Sequence, residues 1–193
     1  MATYKSIAYD QPLSAGGSMV LLEEQTASSS DDISFTSGID STYKEYIFYF
    51  ISSHPSTNPG IISFQATTDG TNFNTAVTST YFRAYHDEAD SAAVLQYAVN
   101  FDEAQGTGVQ NLDSGSGNGN DLASSGYLHL YNPSDTTFVK HFYSKSSGTN
   151  DGDYSINVFA AGYFNTTSAI TGIRFQLDSG TIDSGTIKLY GVN

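Results

Sequence analysis

The stretch Tyr43-Lys-Glu-Tyr-Ile-Phe-Tyr-Phe-Ile51 is the densest aromatic run of the chain, and it decides the fold class. Side chains of a β-strand alternate between two faces, so Tyr46, Phe48 and Phe50 point to one side and the residues between them to the other. Both faces of this strand are therefore apolar. Such a strand is typical of a central position, either inside a two-layer sandwich or with one face covered by a partner chain.

The rest of the chain repeats short apolar runs separated by turn residues. Eighteen Gly and many Ser, Thr, Asn and Asp residues lie dispersed between these runs. Only near Asp90 and Ser91, either of which could cap a run rich in Ala, does a helix compete with a strand. We favour the strand. The strands that the pattern predicts lie near residues 18–26, 33–36, 43–51, 62–66, 78–85, 93–99, 127–131, 137–144, 154–163, 170–177 and 186–192.

This succession of strands predicts an all-β fold, namely an antiparallel two-sheet sandwich with jelly-roll topology. With 193 residues, the chain fits one domain, which we place at residues 18–193. Residues 101–125 form the least hydrophobic region, and their composition predicts a flexible surface loop. The Ser, Gly and Asn residues after Ser144 predict a turn over residues 146–153.

Residues 1–17 are interpreted separately, because Ala15-Gly16-Gly17 divides them from the first sustained apolar run. They form either an ordinary edge strand around residues 6–9 or an arm that reaches a neighbouring molecule. If they form an arm, their scattered apolar side chains are the candidate contacts with a partner. These candidates are Tyr4, Ile7, Tyr9 and Leu13.

Charge and composition exclude several classes of function. Twenty acidic residues against seven basic ones give a formal net charge of −13, which repels nucleic acids and anionic membrane surfaces. No run approaches the length of a membrane span, and the N-terminus lacks the apolar segment of a signal peptide. The absence of Cys excludes disulfides and cysteine nucleophiles, and is compatible with assembly in a reducing cytoplasm.

The four histidines are the natural candidates for acid–base chemistry or metal binding. We interpret three of them as structural. His54 lies beside a proline-containing loop, and His129 and His141 alternate with apolar residues in predicted strands. His86 is followed by three acidic residues, at positions 87, 88 and 90, so this segment is either a metal site or a solvated acidic turn. No nucleophile elbow or phosphate-binding loop is present in the sequence.

Two further polar clusters could bind a structural calcium ion through side-chain oxygens, although neither has the spacing of an EF-hand. We expect no other cofactor and no catalytic residue. A hydrolase would need a pair of carboxylates in a cleft, which the sequence does not display. The two clusters are Asn118, Asn120 and Asp121, and Asn150, Asp151 and Asp153.

Several strings from residue 30 to the C-terminus resemble a family of virion structural proteins of tailed phages, in particular phages of marine bacteria. The last of these strings, residues 182–191, is the most specific. The strings are Ser34-Phe-Thr-Ser-Gly-Ile-Asp-Ser-Thr-Tyr43, Phe82-Arg-Ala-Tyr-His-Asp-Glu88, Leu128-His-Leu-Tyr-Asn-Pro-Ser134, Phe138-Val-Lys-His-Phe142, Asn165-Thr-Thr-Ser-Ala-Ile170 and Ile182-Asp-Ser-Gly-Thr-Ile-Lys-Leu-Tyr-Gly191.

The resemblance implies a non-enzymatic component of the virion, assembled in the host cytoplasm. We expect a capsid decoration, or cement, protein on the outside of the head, with the major capsid protein or other virion proteins as partners. A homo-oligomer is expected, with a trimer as the first choice because threefold positions are common attachment points. The alternative is a receptor- or glycan-binding module of a tail or head fibre. Cement should show an apolar or arm-mediated contact surface, and a receptor binder a pocket with exposed Tyr and convergent polar groups.

Overall fold

A computed structural model describes residues 19–193, and within this range the protein consists of β-strands without a helix. The all-β prediction is therefore confirmed. The strands are β1 (Met19–Ser30), β2 (Asp32–Phe35), β3 (Glu45–Pro55), β4 (Ile62–Thr67), β5 (Val77–Asp87), β6 (Ala93–Tyr97), β7 (Ala104–Gly106), β8 (Gln110–Asn111), β9 (Ser124–Tyr131), β10 (Lys140–Thr149), β11 (Tyr154–Phe164), β12 (Gly172–Leu177) and β13 (Ile182–Val192).

The strands form two antiparallel sheets. The large sheet has the order β1-β13-β3-β9-β10-β11-β5-β6, with β7 also paired to β5, and the small sheet has the order β2-β12-β4-β8. The chain crosses between the sheets at each step from β1 to β5, from β7 to β9, and from β11 to β13. The part β1-β13-β3-β9 together with the small sheet has the strand order of a jelly roll, so the predicted sandwich and topology are confirmed.

The main core lies between the two sheets and is built around β3. Tyr46, Phe48 and Phe50 are fully buried, as the alternation within this strand predicts. The ring of Phe48 lies 5.4 Å from the ring of Phe35 on β2 and 5.4 Å from that of Phe175 on β12. These contacts across the sandwich hold the two sheets together.

The large sheet extends beyond the jelly roll through β10, β11, β5 and β6. The inner side of this extension carries a second apolar cluster around Tyr81, Ile156 and Val158. Its cover comes from the segment that follows β6, because Phe101 stacks on Tyr81 with ring centroids 5.1 Å apart. The Tyr81 hydroxyl also donates a hydrogen bond of 2.6 Å to the carbonyl oxygen of Asp113.

Residues 101–125 are therefore not simply the surface loop that their composition predicts. They contain β7 and β8, and Gln110, Leu112, Asp113 and Ser116 are buried. The carboxylate of Asp113 accepts hydrogen bonds from the backbone N–H groups of Ile62, at 3.1 Å, and Gly115, at 3.2 Å, and from the Ser116 hydroxyl. Because the buried carboxylate of Asp113 is hydrogen-bonded, this polar segment can cover the apolar cluster around Tyr81.

Two other local predictions need correction. The strand expected at residues 137–144 begins only at Lys140, because Asp135 accepts hydrogen bonds from the N–H groups of Thr137 and Phe138 and keeps this segment in a turn. The same strand continues to Thr149, so the turn predicted for residues 146–153 is confined to its second half. The strand favoured over a helix near residue 93 is present as β6.

No helix long and apolar enough to cross a membrane is found between Met19 and Asn193.

The buried Asp113 carboxyl gives a prediction for the pH dependence of stability. Burial raises the pKa of Asp113 from 3.8 to about 6, so its protonated form is favoured more in the folded than in the unfolded protein. The shift in pKa contributes about 3 kcal/mol to the free energy of unfolding. This stabilisation is fully present below about pH 4 and is lost as the pH rises through about 6. Urea unfolding of the wild type and of Asp113→Asn at several pH values measures this stabilisation. The other titrating groups contribute equally to both proteins, so they cancel in the difference between the two unfolding free energies. A difference in unfolding free energy that does not change with pH would contradict the assignment.

Candidate functional site

One continuous row of side chains crosses the outer face of the large sheet, which is the side turned away from the small sheet. Each member lies directly opposite the next in the strand register, from the β1 edge to the β6 edge. At about 4.8 Å between strands, the row spans roughly 34 Å. We call it the outer row, and its members are Glu24, Lys188, Tyr49, Tyr127, Lys145, Phe159, Phe82 and Tyr97.

Aromatic contacts connect most of the outer row. The rings of Phe82 and Phe159 are stacked, with centroids 5.0 Å apart and an angle of 11° between planes. The amine of Lys145 lies 5.1 Å from the centroid of Phe159. The rings of Tyr49 and Tyr127 meet at 6.2 Å in an edge-to-face arrangement. The row is thus an ordered aromatic surface that neighbouring rings hold in place.

Neighbouring outward positions widen this surface. Ile47 is buried beneath the surrounding rings, whereas Tyr131 is 40% exposed. His129 lies 5.0 Å from the ring of Tyr127 and 6.4 Å from that of Tyr143. Aromatic side chains therefore cover the middle of the outer face, and no second layer within residues 19–193 lies over it.

The outer face is electrically balanced, in contrast to the chain as a whole. Its charged outward positions in register are Glu24 and Glu45 against Lys145 and Lys188, so their formal charges cancel. The net charge of −13 must then be carried by other surfaces. A nearly neutral aromatic face on an acidic protein is a surface where another protein can dock with little long-range repulsion.

A second feature is a small cleft on the inner side of the sheet extension, which we call the Arg83 cleft. Its volume is about 230 Å³, and its lining includes Arg83, Tyr85, Asn150 and Tyr154. The Arg83 guanidinium lies 5.5 Å from the centroid of the Tyr85 ring. Tyr85 and Tyr154 meet edge to face at 5.5 Å.

The guanidinium of Arg83 is held by neutral partners. Its Nη1 donates to the hydroxyl of Ser114, and the amide oxygen of Gln96, when turned toward it, accepts from Nε and Nη2 at 2.8 Å each. Among residues 19–193 no carboxylate pairs with this guanidinium. Since a guanidinium has five N–H donors, two of them remain for another acceptor.

The acidic segments noted in the sequence come together at a different cleft of about 300 Å³. Glu88, Asp121, Asn150 and Asp153 line it, together with His86. Asp87, also in the lining, uses its carboxylate to accept the N–H groups of Ser91 and Ala92, both at 2.8 Å. The hydrogen bond from the Ser91 hydroxyl lowers the pKa of Asp87 most, and the bond from the Ala92 N–H group lowers it further.

Hydrogen bonds within the turn engage the carboxylates of Asp87 and Asp90. Within the described part of the chain, no three His, Asp or Glu side chains are grouped so that they could hold a metal ion. Asp121 and Asp153 do approach the same cleft. By contrast, the amide of Asn118 donates to the carbonyl oxygen of Ser56, and Asp151 accepts from the side chain of Asn58.

The histidines lie in four separate settings. Nε2 of His54 lies 3.1 Å from the carbonyl oxygen of Gly119, and that of His86 lies 3.1 Å from Oδ1 of Asp90. Nδ1 of His129 contacts the carboxylate of Glu45 within the outer face, and His141 packs on Tyr163. Each ring is thus engaged by a neighbouring group in the fold.

The sequence indicated the outer face but not its composition. The apolar outward side of β3 suggested a face for a partner chain, whereas the contributions of Tyr127, Phe159 and Phe82 follow only from the strand register. The four residues predicted to contact a partner, Tyr4, Ile7, Tyr9 and Leu13, lie outside the described residues. Neither the Arg83 cleft nor its lining was predicted, because its side chains come from three distant segments.

No family model, curated protein or solved structure matches this chain.

The outer row gives a prediction about stability. Phe82 is 40% exposed and Phe48 is fully buried. We expect Phe82→Ser to lower the free energy of unfolding by about 1 kcal/mol, the worth of its ring contact, and Phe48→Ala to lower it by about 3–5 kcal/mol. Chemical unfolding monitored by circular dichroism measures both values. If Phe82→Ser lowers the free energy of unfolding as much as Phe48→Ala does, the outer row stabilises the fold and is not a surface reserved for a partner.

Proposed function

We propose that the protein is a non-enzymatic structural component of a phage virion, a decoration protein that docks on the outside of the head through the outer face of its large sheet. The observation that carries the proposal is the outer row, an ordered aromatic surface with balanced charge on a chain of net charge −13. Interfaces between proteins are enriched in Tyr and Phe and depleted of charge at their centre.

The remaining support comes from the sequence. The strings that resemble virion structural proteins include residues 82–88, which contribute Phe82 to the outer row, and residues 128–134, which begin directly after Tyr127 and contain the end of β9. The acidic composition disfavours contact with packaged nucleic acid and suits the outer surface of a shell. The partner we expect is the major capsid protein or another virion protein.

The geometry of the rings favours a protein partner over a sugar. The faces of Phe82 and Phe159 are turned toward each other, so these two rings offer mainly their edges to a ligand. A carbohydrate stacks on an open aromatic face, whereas a protein surface can also pack against ring edges.

The Arg83 cleft supports the alternative function, a receptor- or glycan-binding module. It combines the rings of Tyr85 and Tyr154 with the amide of Asn150 and two unused guanidinium donors, which are the convergent polar groups expected of such a site. The acidic cleft shares the wall formed by Asn150 and Tyr154, and its carboxylates would repel an anionic ligand. The outer face therefore remains the preferred site.

One binding experiment separates the two functions. Purified protein is added to particles that lack it, and separately to host cells, and the bound fraction is measured for the wild type and single variants. We expect Phe82→Ser and Tyr127→Ser to weaken binding to particles by about tenfold or more, as removal of aromatic anchors does. Phe138→Ser, which changes a 69% exposed ring outside the outer row, is the matched control.

The result that contradicts the preferred function is equally specific. Unchanged particle binding by both outer-row variants, together with host-cell binding that Arg83→Gln abolishes, would assign recognition to the Arg83 cleft.

A further inference from the structure

Strand β6 forms one edge of the large sheet and exposes an unusual amount of apolar surface. Leu95 is 74% exposed, Tyr97 is 52% exposed, and Val99, just after the strand, is 70% exposed. In the described part of the chain, β6 pairs only with β5. Its other side therefore offers backbone donors and acceptors without a strand to receive them.

The hydrogen-bond pattern identifies these free groups. The N–H of Ala98 donates to the carbonyl oxygen of Tyr81 at 3.0 Å, and the N–H of Asp87 donates to that of Ala92 at 3.2 Å. In an antiparallel pair, bonded positions alternate, so residues 92, 94, 96 and 98 direct their backbone groups toward β5. Ala93, Leu95 and Tyr97 consequently direct their N–H and C=O groups toward the open edge.

Charge is absent from this edge. Residues 91–101, Ser-Ala-Ala-Val-Leu-Gln-Tyr-Ala-Val-Asn-Phe, contain no charged side chain, although the chain carries 20 acidic and seven basic residues. Edge strands are usually protected by charges, by proline or by a covering segment. An uncharged strand can meet an identical strand without placing like charges opposite each other.

We propose that β6 pairs antiparallel with β6 of a second copy of this chain, about a twofold axis at Leu95. In this register Leu95 lies opposite Leu95 of the second copy, and Ala93 lies opposite Tyr97. All three residues present their free backbone groups to each other, so each of the three opposed pairs exchanges two hydrogen bonds. The two large sheets then become continuous.

The side chains fit this register. An open trough of about 480 Å³ lies beside β6, and its lining includes the small side chains Ala84, Ala93 and Ser155. Tyr97 of each copy lies opposite Ala93 of the other and therefore beside the other copy's trough. The Tyr97 ring of each copy can therefore fill the trough of the other copy, and the twofold axis gives this contact twice.

Pairing of β6 requires only the open edge of the large sheet, whether or not the outer face docks on a particle. The pairing places the outer faces of both copies on the same side of one sheet, so that they could dock together. It predicts a dimer rather than the trimer expected from the resemblance, because twofold pairing of one edge closes with two copies.

The test measures molar mass by light scattering after size exclusion at roughly 100 μM, a concentration that populates a micromolar dimer. We expect twice the monomer mass of 20.7 kDa for the wild type. Leu95→Pro removes an N–H that points to the open edge and leaves the bonds to β5 intact, so it should give a folded monomer. Leu95→Thr retains that N–H and should remain dimeric.

Three results would overturn the proposal, namely a wild-type monomer, a wild-type trimer, or a dimer that persists in Leu95→Pro. Hydrogen exchange of the wild type provides a second measurement in case Leu95→Pro does not fold. The amides of Ala93, Leu95 and Tyr97 should be protected at high protein concentration and lose protection on dilution, whereas protection independent of concentration excludes the pairing. A monomer that still binds particles would refute the dimer and leave the proposed function standing.

Discussion

The alternation of side chains between the two faces of a strand determines how this structure is organised. Every strand of the large sheet has two faces, and within residues 19–193 the small sheet and the segment around Phe101 cover only the inner face. A strand such as β3, with apolar residues on both sides, therefore places one set in the core and leaves the other on the outer face. The outer row is the result of this alternation, repeated across the neighbouring strands in register.

The extension of the large sheet has a second apolar surface on its inner side, which has to be shielded from water. Strands β10, β11, β5 and β6 continue past the jelly roll, and their inner side needs protection from water. A polar segment supplies it, with Phe101 stacked on Tyr81 and with Asp113 buried among backbone donors. The stability of this cover is thus linked to the protonation of one carboxyl group, whose pKa is raised by burial.

Much of the fold could be predicted from the sequence. Alternating apolar residues and dispersed turn residues identified the sandwich and the central strand. The surface loop predicted from the composition of residues 101–125 was wrong. Composition does not show that the N–H groups of Ile62 and Gly115 donate hydrogen bonds to Asp113 and so allow this segment to be buried. It also could not reveal that Lys140 is buried, with its amine donating to three backbone carbonyl groups.

The candidate site was harder to predict, because its residues meet only through pairing of distant strands. Tyr49 and Tyr127 are neighbours because β3 pairs with β9, and Phe159 meets Phe82 because β11 pairs with β5. Local patterns contain neither pairing. The Arg83 cleft has the same origin, since Arg83, Ser114 and Asn150 come from three separate segments.

We propose that the outer face of the large sheet is the surface by which this protein attaches to a particle. Cryo-electron microscopy of virions that carry the protein tests this proposal, since it shows both copy number and orientation. We expect many copies on the head, each with Tyr49, Tyr127 and Phe82 against a shell protein. A few copies at the tail, or copies on the head whose outer faces point into solvent, would contradict it.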